Sequence, residues 1–207
     1  METGFLTDAE IIGKGTELLG EHFNQAQAEG ASYDMSLGEE VYISGEDAPR
    51  KLSDTSPYVS LPRGQFALLL TKEYVKIPDD HLALISIKMS KKQLGLINIS
   101  GFHIDPGFEG KIIFSVFNAG PSEVVLKYGE AVFMIFFYKL GHKVLRPYDK
   151  EKKRQTSLPT GLVTSLRGTS ASLADVDKRV SRLETMGYVF LALLIALIGT
   201  IIGVSLR

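Results

Sequence analysis

The carboxyl-terminal end of this chain is the segment that most restricts how the molecule can fold. Residues Thr185–Leu206 include no charged side chain, and Tyr188–Val204 is almost wholly apolar. About 20 helical residues, rising about 1.5 Å each, cross the roughly 30 Å hydrocarbon layer of a bilayer. A buried soluble helix of that length normally has a polar face, whereas this segment offers only Thr200 and Ser205. The pattern therefore predicts one transmembrane helix over residues 187–206.

The charges that flank this segment predict its orientation. Lys178, Arg179 and Arg182 precede it, and only Arg207 follows it. Because the more positive flank stays on the cytoplasmic side, we expect the preceding domain to lie in the cytoplasm. The amino terminus, METGFLTDAE, is acidic and has no apolar run, so no signal peptide is expected. These features predict a tail-anchored protein with the lipid bilayer as a partner.

Composition excludes several classes of function. The 23 basic and 24 acidic side chains give a formal net charge of -1, which is not typical of a nucleic-acid-binding surface. Without any cysteine the chain has no disulfide, zinc-thiolate site or cysteine nucleophile. Its four histidines show no spacing typical of metal ligands, so a protein-ligated metal is not expected.

The middle of the chain has the pattern of apolar runs and turn residues that is typical of an all-β domain. Short apolar runs recur every 8–12 residues or so, separated by Gly, Pro, Asp and Asn. This spacing favours a β-sandwich or β-barrel over a fold in which strands and helices alternate. The runs are Phe66–Leu70, Leu82–Ile87, Leu94–Ile99, Lys111–Phe117, Val124–Leu126 and Ala131–Tyr138.

Helical patterns are found on both sides of this region. Residues 1–30 read as a helical lead, with a capping pattern at Thr7-Asp8-Ala9-Glu10. A β-domain over 31–148 is followed by a tail over 149–170, in which the charged stretch Asp149–Gln155 reads as a solvated linker.

A stalk helix is predicted over 171–186, after a capping box that begins at Ser172. Apolar residues follow at alternating spacings of three and four, which indicates a short parallel coiled coil. A helix that packs on its own domain is the alternative. The span also includes a GxxxG match at Gly199–Gly203, which is a weak motif for helix association. The stripe is Leu162, Leu166, Thr169, Leu173, Val176, Val180 and Leu183, continued by Gly187, Phe190, Leu194 and Leu197.

The stretch Asn98–Asn118, NISGFHIDPGFEGKIIFSVFN, reads as a β-hairpin. Alternating apolar residues lie on both sides of Asp105-Pro106-Gly107, which is a strong turn signal. Taken alone, the turn would be purely structural.

Several segments, in order, resemble the dCTP deaminase / dUTPase superfamily, and the deaminase branch most closely. The similarity covers about residues 5–166 and is specific because order and spacing both match. It is carried by Leu6–Ile11, Gly30–Gly38, Ile77-Pro78, Lys88–Leu96, Gly101–Gly110 with Asn118, Lys127–Glu130 and Arg146–Asp149. The resemblance implies a distorted jelly-roll-like β-barrel that forms a homotrimer, with sites at subunit boundaries for a pyrimidine deoxynucleotide triphosphate and its magnesium.

The sequence departs from the family at the residues that would do the chemistry. Deamination of cytosine needs a carboxylate to move protons between the attacking water and the leaving amine, and the family's glutamate aligns with Ser115. The family's phosphate-binding Arg-Ser-Ser-x-x-Arg reads Lys88-Met89-Ser90-Lys91-Lys92-Gln93. Gln93 lacks the bidentate grip of a guanidinium. The lysines can still hold phosphate as point charges, or they are a solvated strand end.

Other family positions are kept. By resemblance Asp105 meets the deoxyribose hydroxyl and Phe108 packs under the sugar, in a nucleotide site that includes Gly101 and has His103 in place of a basic residue. Structural readings stay open, with Asp105 capping its own turn and Phe108 in the core. Arg167-Gly168-Thr169-Ser170 is similar to the start of the dUTPase arm, but further glycines are absent, so we regard that match as a coincidence.

Three functions remain from the sequence. The favoured hypothesis is a membrane-anchored trimeric protein that binds pyrimidine deoxynucleotides with lost or altered catalysis. The second is an active dCTP deaminase or dUTP pyrophosphatase that uses another base, for example Glu109 or Glu123. The third is a membrane-bound trimeric scaffold that binds no nucleotide.

Overall fold

The computed structural model describes residues 3–148, 154–166 and 173–205. Two compact units divide after Thr169. Most of the predicted charged linker, the Arg167–Ser170 match and the Ser172 cap lie outside the described residues.

The first unit is mainly β, as predicted. Its described helices are short. Two 3₁₀ turns, at Gly20–His22 and Gln25–Gln27, follow the first two helices. The helices are α1 (Asp8–Gly13), α2 (Gly15–Leu19), α3 (Met89–Gln93) and α4 (Thr160–Leu166). The strands are β1 (Gly4–Phe5), β2 (Ala28–Glu29), β3 (Ser32–Ile43), β4 (Arg50–Lys51), β5 (Tyr58–Leu61), β6 (Phe66–Thr71), β7 (Val75–Lys76), β8 (His81–Ile87), β9 (Leu96–Asn98), β10 (His103–Ile104), β11 (Glu109–Gly110), β12 (Ile113–Asn118), β13 (Val124–Lys127) and β14 (Ala131–Lys139).

A curled antiparallel sheet organises the described strands, with the order β10-β8-β14-β3-β6-β12-β9. The long strand β3 belongs to both halves of it: Tyr33–Ser36 pair with β14, whereas Leu37–Ile43 pair with β6. The register shifts between Leu37 and Val41. Gly38 lies at this shift, where a Cβ atom would come within 2.6 Å of the Thr71 carbonyl oxygen. The absence of a side chain at Gly38 therefore lets the strand cross from one half to the other.

The main core lies between the two halves of the curled sheet. Phe114 of β12 stacks on Phe133 of β14 with ring centroids 4.1 Å apart and planes 13° apart. Both rings are fully buried. Because they come from opposite halves, this contact joins the halves through the centre of the domain.

A smaller apolar cluster covers the outer face of β3 and β6. Tyr42, Leu68 and Leu70 pack there against Leu158 and Val163 of the tail. The tail is anchored by a hydrogen bond in which the Leu158 amide donates to Glu40 Oε2 at 2.7 Å. The described part of the tail, residues 154–166, is thus packed on the domain.

The amino-terminal lead is helical, and its capping box is present. Thr7 Oγ1 accepts from the Glu10 amide at 3.4 Å, and Glu10 Oε2 accepts from the Thr7 amide at 2.9 Å. The helix begins where the sequence predicts because two backbone donors of its first turn find side-chain acceptors.

The predicted hairpin is present only in its outer part. Strands β9 and β12 pair antiparallel, with Ile97 opposite Phe117. Between them, however, β10 pairs with β8 and β11 pairs with β7, so the arms of the Asp105 turn do not pair with each other. Ile97 and Ile99 also differ from the buried Phe114 and Val116, since they are 50% and 55% exposed. Alternation in sequence could not reveal which face would be covered.

The second unit is one helix, α5, at Leu173–Ser205. Its segment Arg179–Gly199 is the part of the described chain that is long and apolar enough to cross a membrane, by length and composition. Leu162 and Leu166 of the predicted stripe lie in α4, and Leu166 packs beside the smaller cluster. Leu166 therefore packs on its own domain, whereas Leu162 is 37% exposed.

Candidate functional site: a cavity at the Asp105 turn

The turn that follows Asp105 is held between two other segments of the domain. The Gly107 amide donates to the Ile77 carbonyl, and the Ile77 amide donates to the Phe108 carbonyl, both at 2.9 Å. Pairing of β10 with β8 and of β11 with β7 fixes the chain on either side. The turn is therefore placed by strands that are distant in sequence, and its side chains have a defined direction.

The end of the β-domain, just before the tail, closes over this turn from the other side. The Tyr148 amide donates to the Pro106 carbonyl at 2.6 Å, and the Tyr148 ring meets Phe108 edge to face at 5.6 Å between centroids. Gly107 has a φ of +86°, and a Cβ atom there would lie 2.9 Å from Pro147 Cβ. Glycine is required both for that backbone conformation and for the close approach of Pro147.

A cavity of about 240 Å³ opens beside the turn. Four of the predicted nucleotide-binding residues line it: Gly101, His103, Asp105 and Phe108. Both polar and apolar residues line the cavity, as is usual for sites that bind small molecules. The remaining lining residues are Ile85, Ser100, Ile104, Ile112, Ile113, Tyr148 and Gln155.

Asp105 is the carboxylate that this lining provides within the described chain. His103 Nε2 lies 3.5 Å from Asp105 Oδ1, and the two side chains are 47% and 59% exposed. A carboxylate in this position can accept a hydrogen bond from a ligand hydroxyl. The structural reading of Phe108 also holds in part, because its ring packs against the main core while it faces the cavity.

Ser115 lies next to the cavity, but it is not among the lining residues. It is partly buried on the face of β12 opposite to Phe114 and Val116, across from Leu68. Its carbonyl oxygen accepts from the amides of Ile99 and of Ser100, at 2.8 and 3.3 Å. Since Ser100 lines the cavity, position 115 is one hydrogen bond away from it.

The two alternative bases are held elsewhere. Glu109 Oε2 forms an ion pair with Arg154 Nε at 3.2 Å. Glu123 Oε2 accepts from the Ser60 hydroxyl at 2.5 Å, beside the β5–β13 pair. Neither residue lines the cavity, so neither is positioned in this chain to act on a ligand there.

The predicted phosphate motif forms the short helix α3 and does not line the cavity. Leu84 of β8 pairs with His103, and Lys88 follows four residues later, about 13 Å along an extended strand. Ser90 and Gln93 are exposed. The single chain therefore does not bring Lys88, Ser90 and Gln93 to the residues around Asp105.

The three lysines of the motif Lys88–Gln93 already have partners. Lys88 Nζ pairs with Asp34, Lys91 Nζ pairs with Glu130, and Lys92 Nζ donates to the Ser86 hydroxyl at 2.8 Å. The ammonium groups of Lys88 and Lys91 are therefore each paired with a carboxylate of the same chain. An anion would have to compete with the carboxylates for both ammonium groups.

A buried carboxyl group at Glu73 was missed by sequence reasoning. Glu73 is 0% exposed, and both of its oxygens accept from the Ser36 amide, at 3.0 and 2.9 Å. Burial raises the pKa of Glu73 from 4.5 to about 7. A glutamate between a lysine and a tyrosine reads as a surface residue, and no pattern in the sequence marks it as buried.

Similarity to known proteins agrees with this architecture. The sequence profile of the dCTP deaminase-like family matches residues 5–140. A dCTP deaminase of Thermococcus gammatolerans is 36% identical over 134 residues, which are 64% of this chain and 82% of that protein. A dCTP deaminase of Pyrococcus horikoshii is 33% identical over 144 residues, 69% of this chain and 88% of that protein.

One solved structure supports the fold. The crystal structure of a 2'-deoxycytidine 5'-triphosphate deaminase from Agrobacterium tumefaciens has a TM-score of 0.58 at 21% identity. The structural alignment covers 69% of this chain and 50% of the Agrobacterium deaminase chain. The profile match alone extends over more than half of the residues, and the solved structure is similar in fold to the curled antiparallel sheet. The chain therefore belongs to the dCTP deaminase-like family.

Proposed function

We propose that this protein is a membrane-anchored homotrimer that binds a pyrimidine deoxynucleotide and does not deaminate it. The observation that carries the proposal is the composition of the cavity. Asp105 and Phe108 line it, while Ser115 occupies the position of the family's glutamate and no second carboxylate lines it within the described residues. The cavity thus keeps groups that suit a sugar and lacks the group that moves protons.

The chemistry explains why this matters. Deamination requires one group that takes a proton from water and later delivers it to the leaving amine. A serine hydroxyl does not accept that proton at neutral pH, and Asp105 is the residue that the family resemblance assigns to the sugar. We therefore expect binding to persist and turnover to be lost by orders of magnitude.

Exposed apolar side chains support association between copies of the domain. Ile97, Ile99 and Phe102 are 50%, 55% and 68% exposed on the strands and loop beside the cavity. Apolar side chains grouped in this way are typical of surfaces that contact another protein. A neighbouring copy would cover them and would supply the rest of a site that is open in one chain. The apolar segment of α5 supports the membrane anchor.

Ligand binding can be tested on residues 1–169, which contain both apolar clusters. We expect dCTP or dUTP with magnesium to raise the melting temperature, since a ligand at 100 times its Kd adds about 2.7 kcal/mol to the stability. Ribonucleotides should raise it less. Product chromatography on the same samples should detect no deaminated or hydrolysed nucleotide.

A matched pair of variants locates the effect. Asp105→Asn should remove most of the shift, whereas Glu123→Gln, which lies outside the cavity, should retain it. Product formation by the wild-type domain would disprove the loss of catalysis. If no nucleotide raises the melting temperature, the trimeric scaffold without nucleotide binding is the correct description.

A further prediction concerns the phosphates of the ligand. Because Lys88 and Lys91 are paired with Asp34 and Glu130, we expect dCMP and dCTP to bind with similar affinity. Glu130→Gln frees Lys91 and should strengthen dCTP binding roughly fivefold, since a partly exposed ion pair is worth up to about 1 kcal/mol.

Calorimetric titrations of both proteins, at low and at high salt, would measure this change. The gain in the Glu130→Gln variant should shrink at high salt, because salt screens the added charge. Unchanged dCTP binding by the variant would mean that Lys91 takes no part in holding phosphate, and weaker binding would likewise contradict the prediction.

A further inference from the structure

Helix α5 is continuous over 33 residues, Leu173–Ser205. At about 1.5 Å per residue its length is about 50 Å. A bilayer takes up roughly 30 Å of this, so about four helical turns extend beyond the hydrocarbon layer. The stalk and the span are thus parts of the same helix, and a stripe that begins in one continues in the other without a break.

An apolar stripe runs along this helix with heptad spacing. Its members recur at alternating intervals of four and three residues, which places them at successive core positions of a coiled coil. None of the described members is buried within the chain, and their exposed fractions include 66% for Leu183 and 67% for Phe190. A glycine at the boundary between stalk and span allows two backbones to approach closely. The described members are Val176, Val180, Leu183, Gly187, Phe190 and Leu194.

Two charged residues beside the stripe indicate which partner packs against it. Arg179 directly precedes the core residue Val180, and Glu184 directly follows the core residue Leu183. In a parallel pair of helices in register, these positions of neighbouring chains face each other, five residues apart in sequence. Arg179 of one copy would then meet Glu184 of the next. In an antiparallel pair, like charges would meet instead, which is unfavourable.

We propose that α5 is a parallel self-association helix whose contact surface extends without interruption from the stalk into the membrane span. The occupant of the stripe is a second copy of this chain, selected by the Arg179–Glu184 complementarity and by the length of apolar surface that α5 leaves uncovered. This association is separate from nucleotide binding and does not depend on it.

The complete absence of cysteine makes a crosslinking test clean. Single substitutions Val180→Cys and Leu183→Cys would be made in the full-length protein, reconstituted in membranes and oxidised. The matched controls are Ser181→Cys and Thr185→Cys, which lie on the opposite side of the same helical turns. We expect severalfold more disulfide-linked dimer at positions 180 and 183 than at 181 and 185. Equal yields at the four positions, or no product at 180 and 183, would overturn the proposal.

The charge pair can be tested in the Val180→Cys background. Glu184→Arg should lower the crosslinked fraction severalfold, because it places arginine opposite arginine. Adding Arg179→Glu should restore the original yield, since the reversed pair is again complementary. The parallel register would be overturned if Glu184→Arg left the crosslinked fraction unchanged. It would also be overturned if adding Arg179→Glu did not restore that fraction. Association of the β-domains alone would produce neither the dependence on helix face nor the recovery.

Discussion

The wild-type protein is expected to lose about 3 kcal/mol of its free energy of unfolding as the pH rises, because Glu73 ionises. Replacing Glu73 with glutamine should abolish this loss. The carboxyl group of Glu73 is fully buried, and burial is the main cause that raises its pKa from 4.5 to about 7. The two hydrogen bonds from the Ser36 amide act in the opposite direction but are too weak to offset the loss of hydration. The folded protein therefore prefers the neutral acid.

The sign of the effect follows from proton binding. In the unfolded chain Glu73 releases its proton near the ordinary value of 4.5, whereas in the folded chain it retains it up to about 7. Between these two values the folded state holds more protons, so the free energy of unfolding falls as the pH rises. The full stability contribution of the neutral acid is present below pH 4.5 and is lost above about pH 7.

Urea unfolding of residues 1–169 at pH 5 and pH 8 would measure the difference. The wild-type domain should lose more stability between these values than Glu73→Gln does, because glutamine has no proton to release. Glu21→Gln is a suitable control, since the Glu21 side chain is 88% exposed; that variant should keep the wild-type pH dependence. If Glu73→Gln keeps it as well, the carboxyl group of Glu73 is not the source.

The second large effect is expected at the centre of the domain. Phe114→Ala should lower the free energy of unfolding by about 3–5 kcal/mol, the usual range for deleting a buried aromatic ring. Phe114 is 0% exposed and stacks on Phe133 at 4.1 Å, so its removal leaves a cavity between the halves of the sheet. The surrounding strands cannot close it without breaking their pairing.

Denaturant unfolding of Phe114→Ala against Phe102→Ala would test this. Phe102 is 68% exposed, so its truncation in a dilute monomeric domain should change stability by no more than about 0.5 kcal/mol. A loss at Phe114 as small as that would mean that the two rings do not join the halves. A loss at Phe102 that depends on protein concentration would instead report its burial between copies.

The candidate site was predictable only where its residues are close in sequence. Gly101, His103, Asp105 and Phe108 fall within one short motif, and they do line one cavity. Tyr148, at the end of the β-domain, and Gln155, in the tail, complete the lining from at least 40 residues further along, and no local pattern links them to the turn. For Lys88 and Lys91 the sequence left open a role in holding phosphate or a solvated strand end, and it gave no sign of their partners, Asp34 and Glu130, which come from β3 and from the turn before β14.

Local signals were sufficient for several features of this protein. The sequence by itself determined the β-rich class, the capping box at Thr7, the order of the family motifs and the apolar character of α5, because each depends on neighbours in the chain. Only the tertiary structure decided that Glu73 is buried, that Ile97 and Ile99 are exposed, and that Tyr148 covers the turn. Those outcomes depend on which distant strands meet, and a buried or paired state is a property of the contact rather than of the residue.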